Sequence, residues 1–385
     1  MSSIYANESE NNAIVANANN KPKAISLFSG MGGDSLGIQN AGFDIIAFNE
    51  FEKPAIDTHH INFPDSTLIC DPSQKKEKDK TNIQLIPDEI FSSYKGTVDL
   101  VFAGHPCQGF SNGGKKLPDD PRNTLFREFA RVCRLIQPKY IIGENVDGLL
   151  NRKTATGENY IDIIIKEFDD IGYNVSYKVC HAVQYGVPQL RKRLVYVGIR
   201  KELEQTYTFP DPLNNGKTEL PHLRDIIEFT MEGAIKLDPE DFDMNSIPQE
   251  CILTDMNNDQ QEDTSNIHPY LRLKSKTRNQ EYNGVVHPNM LSFSKRDSPI
   301  HAEIIDIRRP SKTIICTYDH QPRLFVPLQN KNGFFIRCIL PDELKQIQGF
   351  PKDFQLSGKK KDKVKQIGNA VPPTLIYHIV KKMIS

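Results

Sequence analysis

From residue 24 the chain alternates short apolar runs with amphipathic segments, and this alternation constrains its fold more than any other feature. Strands are expected over Ala24–Ser29, Asp44–Glu50, Thr67–Cys70, Val98–Gly104 and Tyr140–Asn145. Helical patterns lie between them. The clearest is Asn123–Ile136, where Leu125, Phe126, Phe129, Val132, Cys133 and Ile136 share one face behind a capping Asn123. A second helix is expected over Tyr160–Ile171; Asn174–Gln184 and Arg193–Arg200 follow with a short link and read as a closing strand pair. Nearly unbroken apolar strands separated by helices imply a parallel sheet covered on both faces, here a doubly wound α/β domain.

The pattern stops near Lys201. From there to about Arg309 the text is polar and weakly periodic, as in FPDPLNNGKTELP and DMNNDQQEDTSNIHP, which predicts an irregular second domain or a long-looped insertion. Apolar content returns at Ser311–Tyr318 and Arg323–Val326, and a last helix is expected over Thr374–Ile384. A length of 385 residues accommodates two such units. No apolar run approaches the ~18 residues that span a bilayer. The polar N-terminus MSSIYANESENNAIVANANN is no secretory signal and reads as disordered. The seven cysteines are odd in number and lack zinc-ligand spacing, so reduced thiols in a cytoplasmic protein without a bound metal are expected. A net charge of −1 gives no argument for nucleic-acid binding, although lysines cluster after Pro351.

LFSGMGGDSLG, residues 27–37, joins the first strand to a helix. Its glycines at 30, 32 and 33 permit a sharp turn and close ligand approach. Glu50 ends the second strand and suits the hydroxyls of a ribose. The GxGG spacing is not GxGxxG, so a nucleoside cofactor without a diphosphate, such as S-adenosylmethionine, fits better than a dinucleotide. Asp71 follows the third strand on the same sheet edge; it suits an adenine amino group, and equally a turn before Pro72.

Cys107 follows the fourth strand, between Pro106 and Gln108, where it packs nothing and is displayed. Glu144 ends the fifth strand. Neighbouring strands lie about 4.8 Å apart, so thiol and carboxyl would share one rim within the width of a planar heterocycle. A buried Glu144 would hold its proton more tightly and act as a donor. Arg191 and Arg193 alternate with Lys192 at the start of a strand and point to one side. A guanidinium there suits a carbonyl oxygen or a phosphate, or simply the surface.

Taken in order, LFSGMGGDSLG, GHPCQGFSNGGKK, ENVDGLL, QYGVPQLRKR, RRPSKTI and QIGNAVPP resemble the cytosine-C5 DNA methyltransferases, particularly the single-chain bacterial modification enzymes. The resemblance covers about residues 24–200 and 308–375 and leaves the polar middle where that family carries its target-recognition region. It implies a Rossmann-like, S-adenosylmethionine-dependent methyltransferase sheet with a smaller, irregular target-recognition domain. The expected division is a disordered lead-in at 1–20, a catalytic and cofactor-binding domain at 21–202, a target-recognition domain at 203–363 and a returning segment at 364–385.

The resemblance also implies roles. Cys107 would be the nucleophile, Glu144 would contact N3 and the amino group of the cytosine, and Arg193 would hold its O2 with Arg191 assisting. Phe28, Gly30, Met31, Gly33, Glu50, Phe51, Asp71, Pro106, Leu125, Asn369 and Val371 match cofactor-lining positions. S-Adenosyl-L-methionine would be the methyl donor, leaving as S-adenosyl-L-homocysteine, and double-stranded DNA the substrate of a monomeric enzyme. The resemblance leaves two settings open, a restriction–modification system with a cognate endonuclease acting on the same site, or an orphan modification enzyme. His105 stands where the family more often has Pro or Phe and is expected to be a loop residue. Ser111, Lys115 and Lys116 belong to an expected lid, SNGGKKLP, that meets DNA phosphates. The alternative within this fold is a tRNA cytosine-C5 methyltransferase, against which the length of the polar middle argues. A cysteine hydrolase with His105 or His181 as base would leave the glycine loop and Glu50 without a purpose.

Overall fold

A computed structural model describes residues 21–106, 124–213, 220–238, 247, 249–263, 303–319 and 322–385, together with the backbone of 275–282 and 285–293. The expected lead-in, the Asn123 cap, Cys107 and the 111–118 lid lie outside these residues.

The first half follows the expected alternation. In order come β1 (Lys23–Leu27), α1 (Gly33–Asn40), β2 (Asp44–Asn49), α2 (Lys53–Asn62), β3 (Thr67–Leu68), α3 (Glu77–Lys80), α4 (Asp88–Ser92), β4 (Leu100–Ala103), α5 (Phe126–Ile136), β5 (Tyr140–Asn145), α6 (Tyr160–Asp170), β6 (Tyr173–His181) and β7 (Lys192–Arg200). The strands form one sheet in the order β3-β2-β1-β4-β5-β7-β6. Pairing is parallel from β3 to β5, and β7 runs antiparallel to both β5 and β6. Every residue of β4 is buried, as helices on both faces require. Cys133 is buried on the apolar face of α5 beside Phe129, Val132 and Ile136, as its spacing predicts.

The polar middle is more regular than its sequence suggests. The strands β8 (Ile235–Lys236), β9 (Leu253–Asp255), β10 (Ser275–Tyr282), β11 (Val285–Phe293), β12 (Glu303–Ile304), β13 (Leu324–Asn330) and β14 (Gly333–Cys338) make a second sheet, ordered β10-β11-β12-β13-β14-β8 with β9 also on β13. Three of these strands are too short to imprint an alternation, and β13 is buried along most of its length, which erases one. Ser311–Tyr318 is irregular, with a single bridge from Ser311 to Gln189 and a turn at its end.

The chain closes with α7 (Pro341–Ile347), α8 (Lys360–Asn369) and α9 (Pro373–Ile384). The helix α8 was not expected. Half of its KKDKVKQIGN text is charged, and only the stripe Val364, Gln366, Ile367 and Gly368 is buried. It runs across the 363–364 boundary expected from sequence. The last helix returns to the first sheet and packs on α1 so closely that a Cβ on Gly37 would lie 2.4 Å from the Pro373 carbonyl oxygen. Among the described residues no helix is long and apolar enough to cross a membrane.

Candidate active site

Register places the candidate groups on one rim. Leu27 pairs with Asn49 on one side and Ala103 on the other, and Ala103 pairs with Gly143. Glu50, Phe28, Gly104 and Glu144 therefore follow one another along the carboxyl ends of β2, β1, β4 and β5, where open α/β sheets hold ligands.

The glycine turn is tied to Glu50. The Gly30 amide donates to Glu50 Oε2 at 2.8 Å, and the Phe51 and Glu52 amides donate to Oε1 at 2.8 Å each. Burial pushes the Glu50 carboxyl above its usual range, against the pull of these amides. Phe28 and Gly30 both have positive φ, and a Cβ on Gly30 would meet open space. Beside the turn Phe51 is 46% exposed. Asp71 accepts from the Ser73 amide and hydroxyl and from Gln74, which hold it below the usual carboxylate range. A buried acid that gathers the loop, an exposed ring and a glycine with free space fit a nucleoside bearing a small charged tail.

The remaining cofactor positions divide. The Gly33 Cα faces the late GNAV block, since a Cβ there would lie 2.1 Å from the Val371 carbonyl oxygen. Leu125 and Pro106 are half-buried near the rim, and Asn369 is exposed. The Met31 side chain is fully buried, in the apolar cluster that also holds Phe63, Ile347 and Phe350.

The cytosine-contacting candidates separate as well. Arg193 Nε lies 2.7 Å from Glu144 Oε1, and its Nη1 donates to the Lys192 carbonyl. Burial pushes the Glu144 carboxyl up, while the Arg193 and then the Arg191 charges draw it down. Arg191 does not join them in contact. It is almost fully buried and donates to the carbonyls of Ile314, Gly368 and Ala370, at 3.1 Å each. Arg191 thus ties β7 to the C-terminal segment while its charge reaches Glu144. Gln189 makes a parallel tie, donating to Gln348 at 2.6 Å and accepting from the Ile314 amide at 3.0 Å.

Three polar residues with structural consequences were missed. Asp34 opens α1, is fully buried, and accepts from Ser26 Oγ. Burial pushes its carboxyl up to about 7. An aspartate directly after the glycines of a ligand turn was the available signal. Asn145 and Tyr196 hold His105; the glycine of IIGEN was the signal for that, because a Cβ on Gly143 would lie 1.9 Å from the Tyr196 ring.

A sheet of this order, with a glycine turn after its first strand and an acid after its second, defines a Rossmann-like methyltransferase. The fold is shared with solved structures of a Spodoptera frugiperda DNMT2 mutant (TM-score 0.60, 18% identity, 94% of this chain and 100% of that one) and of S. pombe Dnmt2 (0.58, 15%, 93% and 97%). The chain belongs to the C-5 cytosine-specific DNA methylase family, whose pattern matches residues 22–385, and it is a DNA cytosine-5 methyltransferase. It is 32% identical over 364 residues to the Type II methyltransferase M.NgoPII of Neisseria gonorrhoeae, covering 94% of each chain. It is 34% identical over 366 residues to M1.HphI of Haemophilus parahaemolyticus, covering 94% of this chain and 86% of that one.

Proposed function

We propose that this protein methylates C5 of a cytosine flipped out of duplex DNA, through a temporary bond from Cys107 Sγ to C6, as the modification partner of a type II restriction endonuclease. The observation that carries this reading is the buried Glu144–Arg193 pair on the rim to which β4 delivers Pro106, the residue before Cys107 in the sequence. Addition of a thiolate to C6 makes C5 an enamine carbon. Glu144 stabilises that state by hydrogen bonding or proton donation at N3, and Arg193 neutralises charge at O2. The thiol leaves after a base removes the C5 proton.

Glu50, Phe51, Asp71 and the Gly30 turn would hold S-adenosyl-L-methionine, which supplies an electrophilic methyl group when bound and departs as S-adenosyl-L-homocysteine. No cytosine carbon is reachable inside a duplex, so the nucleotide must leave the stack at a cost of a few kcal/mol. Ser111, Lys115 and Lys116 would meet the phosphates as it does so. Residues 203–363 would read the sequence, with 364–385 returning to the catalytic sheet. The type II names of its relatives support the restriction–modification setting and, with it, the cytoplasm; a monomer suffices, since one chain carries every proposed group.

The test is a covalent trap. DNA carrying 5-fluorocytosine has no C5 proton to lose, so the adduct should survive denaturing electrophoresis, and Cys107→Ala should not form it. Unmodified duplex DNA and tRNA assayed side by side identify the substrate. Methylation at the exocyclic nitrogen instead of C5 would overturn the reading.

A further inference from the structure

His105 directly precedes Pro106 and is buried, with a hydrogen bond at each ring nitrogen. Nε2 lies 3.0 Å from Tyr196 Oη and Nδ1 lies 3.0 Å from Asn145 Nδ2. The Asn145 amide is oriented independently of the ring. Its nitrogen also donates to the His105 carbonyl at 3.2 Å, and its oxygen accepts from the Val146 amide at 2.9 Å. Backbone groups therefore fix a donor against Nδ1, so Nδ1 must accept, and the imidazole proton must sit on Nε2 and point at Tyr196.

The pairing of β5 with β7 explains how this clasp is built. Gly143 lies opposite Tyr196, Glu144 opposite Val195 and Asn145 opposite Leu194. Side chains alternate along a strand, so Asn145 and Tyr196 share one face of the sheet while Glu144 takes the other. The missing side chain at Gly143 leaves room for the Tyr196 ring to cross β5 and reach His105. Consecutive residues of one strand thus serve the two halves of the proposed chemistry: Glu144 faces the base, and Asn145 holds the segment that leads to the nucleophile.

We propose that His105 is a positioning residue which, by joining Asn145 and Tyr196 through its two ring nitrogens, fixes the segment entering Cys107 to the strand that carries Glu144 and so sets the separation of thiol and carboxyl. This rests on Cys107 being the nucleophile. Two peptide links, about 7 Å between Cα atoms at full extension, separate the clasp from Cys107, so little slack remains between them. The same geometry removes His105 as a base. Burial lowers its pKa to about 4, and a protonated ring would aim Nδ1–H at the Asn145 amide hydrogens.

Two measurements on the full chain test this. In long-range proton–nitrogen spectra of histidine-labelled protein, the resonances absent from His105→Gln should report the Nε2–H tautomer, unchanged from about pH 5.5 to 8. An Nδ1–H tautomer, or a titration near the ordinary value of about 6.5, overturns the proposal. Single-turnover methyl transfer from S-adenosyl-L-methionine to amplified plasmid DNA should fall roughly 100-fold in His105→Ala, with cofactor affinity unchanged. His105→Gln keeps a donor toward Tyr196 and should recover much of that loss. An unchanged rate in His105→Ala, or a Gln variant no better than Ala, overturns it. If His105→Ala does not fold, Tyr196→Phe takes its place, with a slowed rate expected at unchanged cofactor affinity and an unchanged rate decisive against the clasp. A Cys107→Ala protein that still methylates would sink the nucleophile reading instead, while the resonances would still report on the clasp.

Discussion

Glu144 and Arg193 meet diagonally across the antiparallel seam between β5 and β7. Glu144 is in register with Val195, and Arg193 lies two residues earlier on the same face, within reach of a long side chain. An antiparallel partner is what allows this. A strand parallel to β5 would start at the opposite end of the sheet, whereas β7 starts at the ligand rim and delivers its first residues there.

Asp34 makes stability depend on pH. Its folded pKa, raised from 3.8 to about 7, means that the native state keeps a proton the unfolded chain has already released across that window. Stability is therefore greatest below the window and falls as pH rises through it, by up to roughly 4 kcal/mol. Asp34→Asn mimics the protonated form. It should be more stable than the parent protein at pH 8, with the difference shrinking toward pH 4, as read from urea midpoints at the two pH values.

The glycines at 30 and 33 should respond differently to alanine. At Gly33 a Cβ would lie 2.1 Å from the Val371 backbone oxygen, so α1 and the segment before α9 must separate. At Gly30 the space is open and φ is +54°, which costs about 1–2 kcal/mol for an L-residue. Gly33→Ala should lower the melting temperature much more than Gly30→Ala, whereas Gly30→Ala should weaken cofactor binding with only a modest drop in melting temperature. Calorimetry in both modes separates the two.

The contrast shows how far the sequence could be read. Short buried strands, the glycine turn and Glu50 were legible because each is a local pattern with one physical cause. Arg191 was not. Its text, alternating with Arg193, says only that both point to one side, and its partners lie more than a hundred residues away at Ile314, Gly368 and Ala370. The second sheet was hidden for the same reason: β8, β9 and β12 are defined by their partners rather than by their own periodicity. His105 is a loop residue as expected, but its ring partners Asn145 and Tyr196 lie far along the chain and nothing local announces them.

Arg191 should prove structural. Lysine keeps its charge but has one nitrogen, and cannot reach three carbonyls in the fork geometry of a guanidinium. Each buried carbonyl left without a donor costs about 1–3 kcal/mol. Arg191→Lys should therefore destabilise the protein by a few kcal/mol and expose the α8–α9 segment to protease, while the rate measured on the folded fraction changes little. A large rate loss without destabilisation would return Arg191 to the chemistry.

Glu144 should set the alkaline limit of the reaction. Burial raises its proton affinity, and Arg193 holds part of that rise back. The protonated carboxyl is the better donor to N3, so the single-turnover rate should fall as pH climbs past its raised pKa. On the proposed mechanism, thiolate formation at Cys107 would have the opposite trend and set the acid limb. Glu144→Gln retains the shape and an N–H donor but cannot deliver a proton. It should slow methyl transfer by about 10²-fold or more and abolish the alkaline limb, leaving the acid limb in place. Arg193→Ala removes the largest influence that lowers the Glu144 pKa, so its alkaline limb should move to higher pH even as the rate falls. If Glu144→Gln keeps both the rate and the alkaline limb, the carboxyl is not the group that meets N3, and the limb belongs to another acid on the rim.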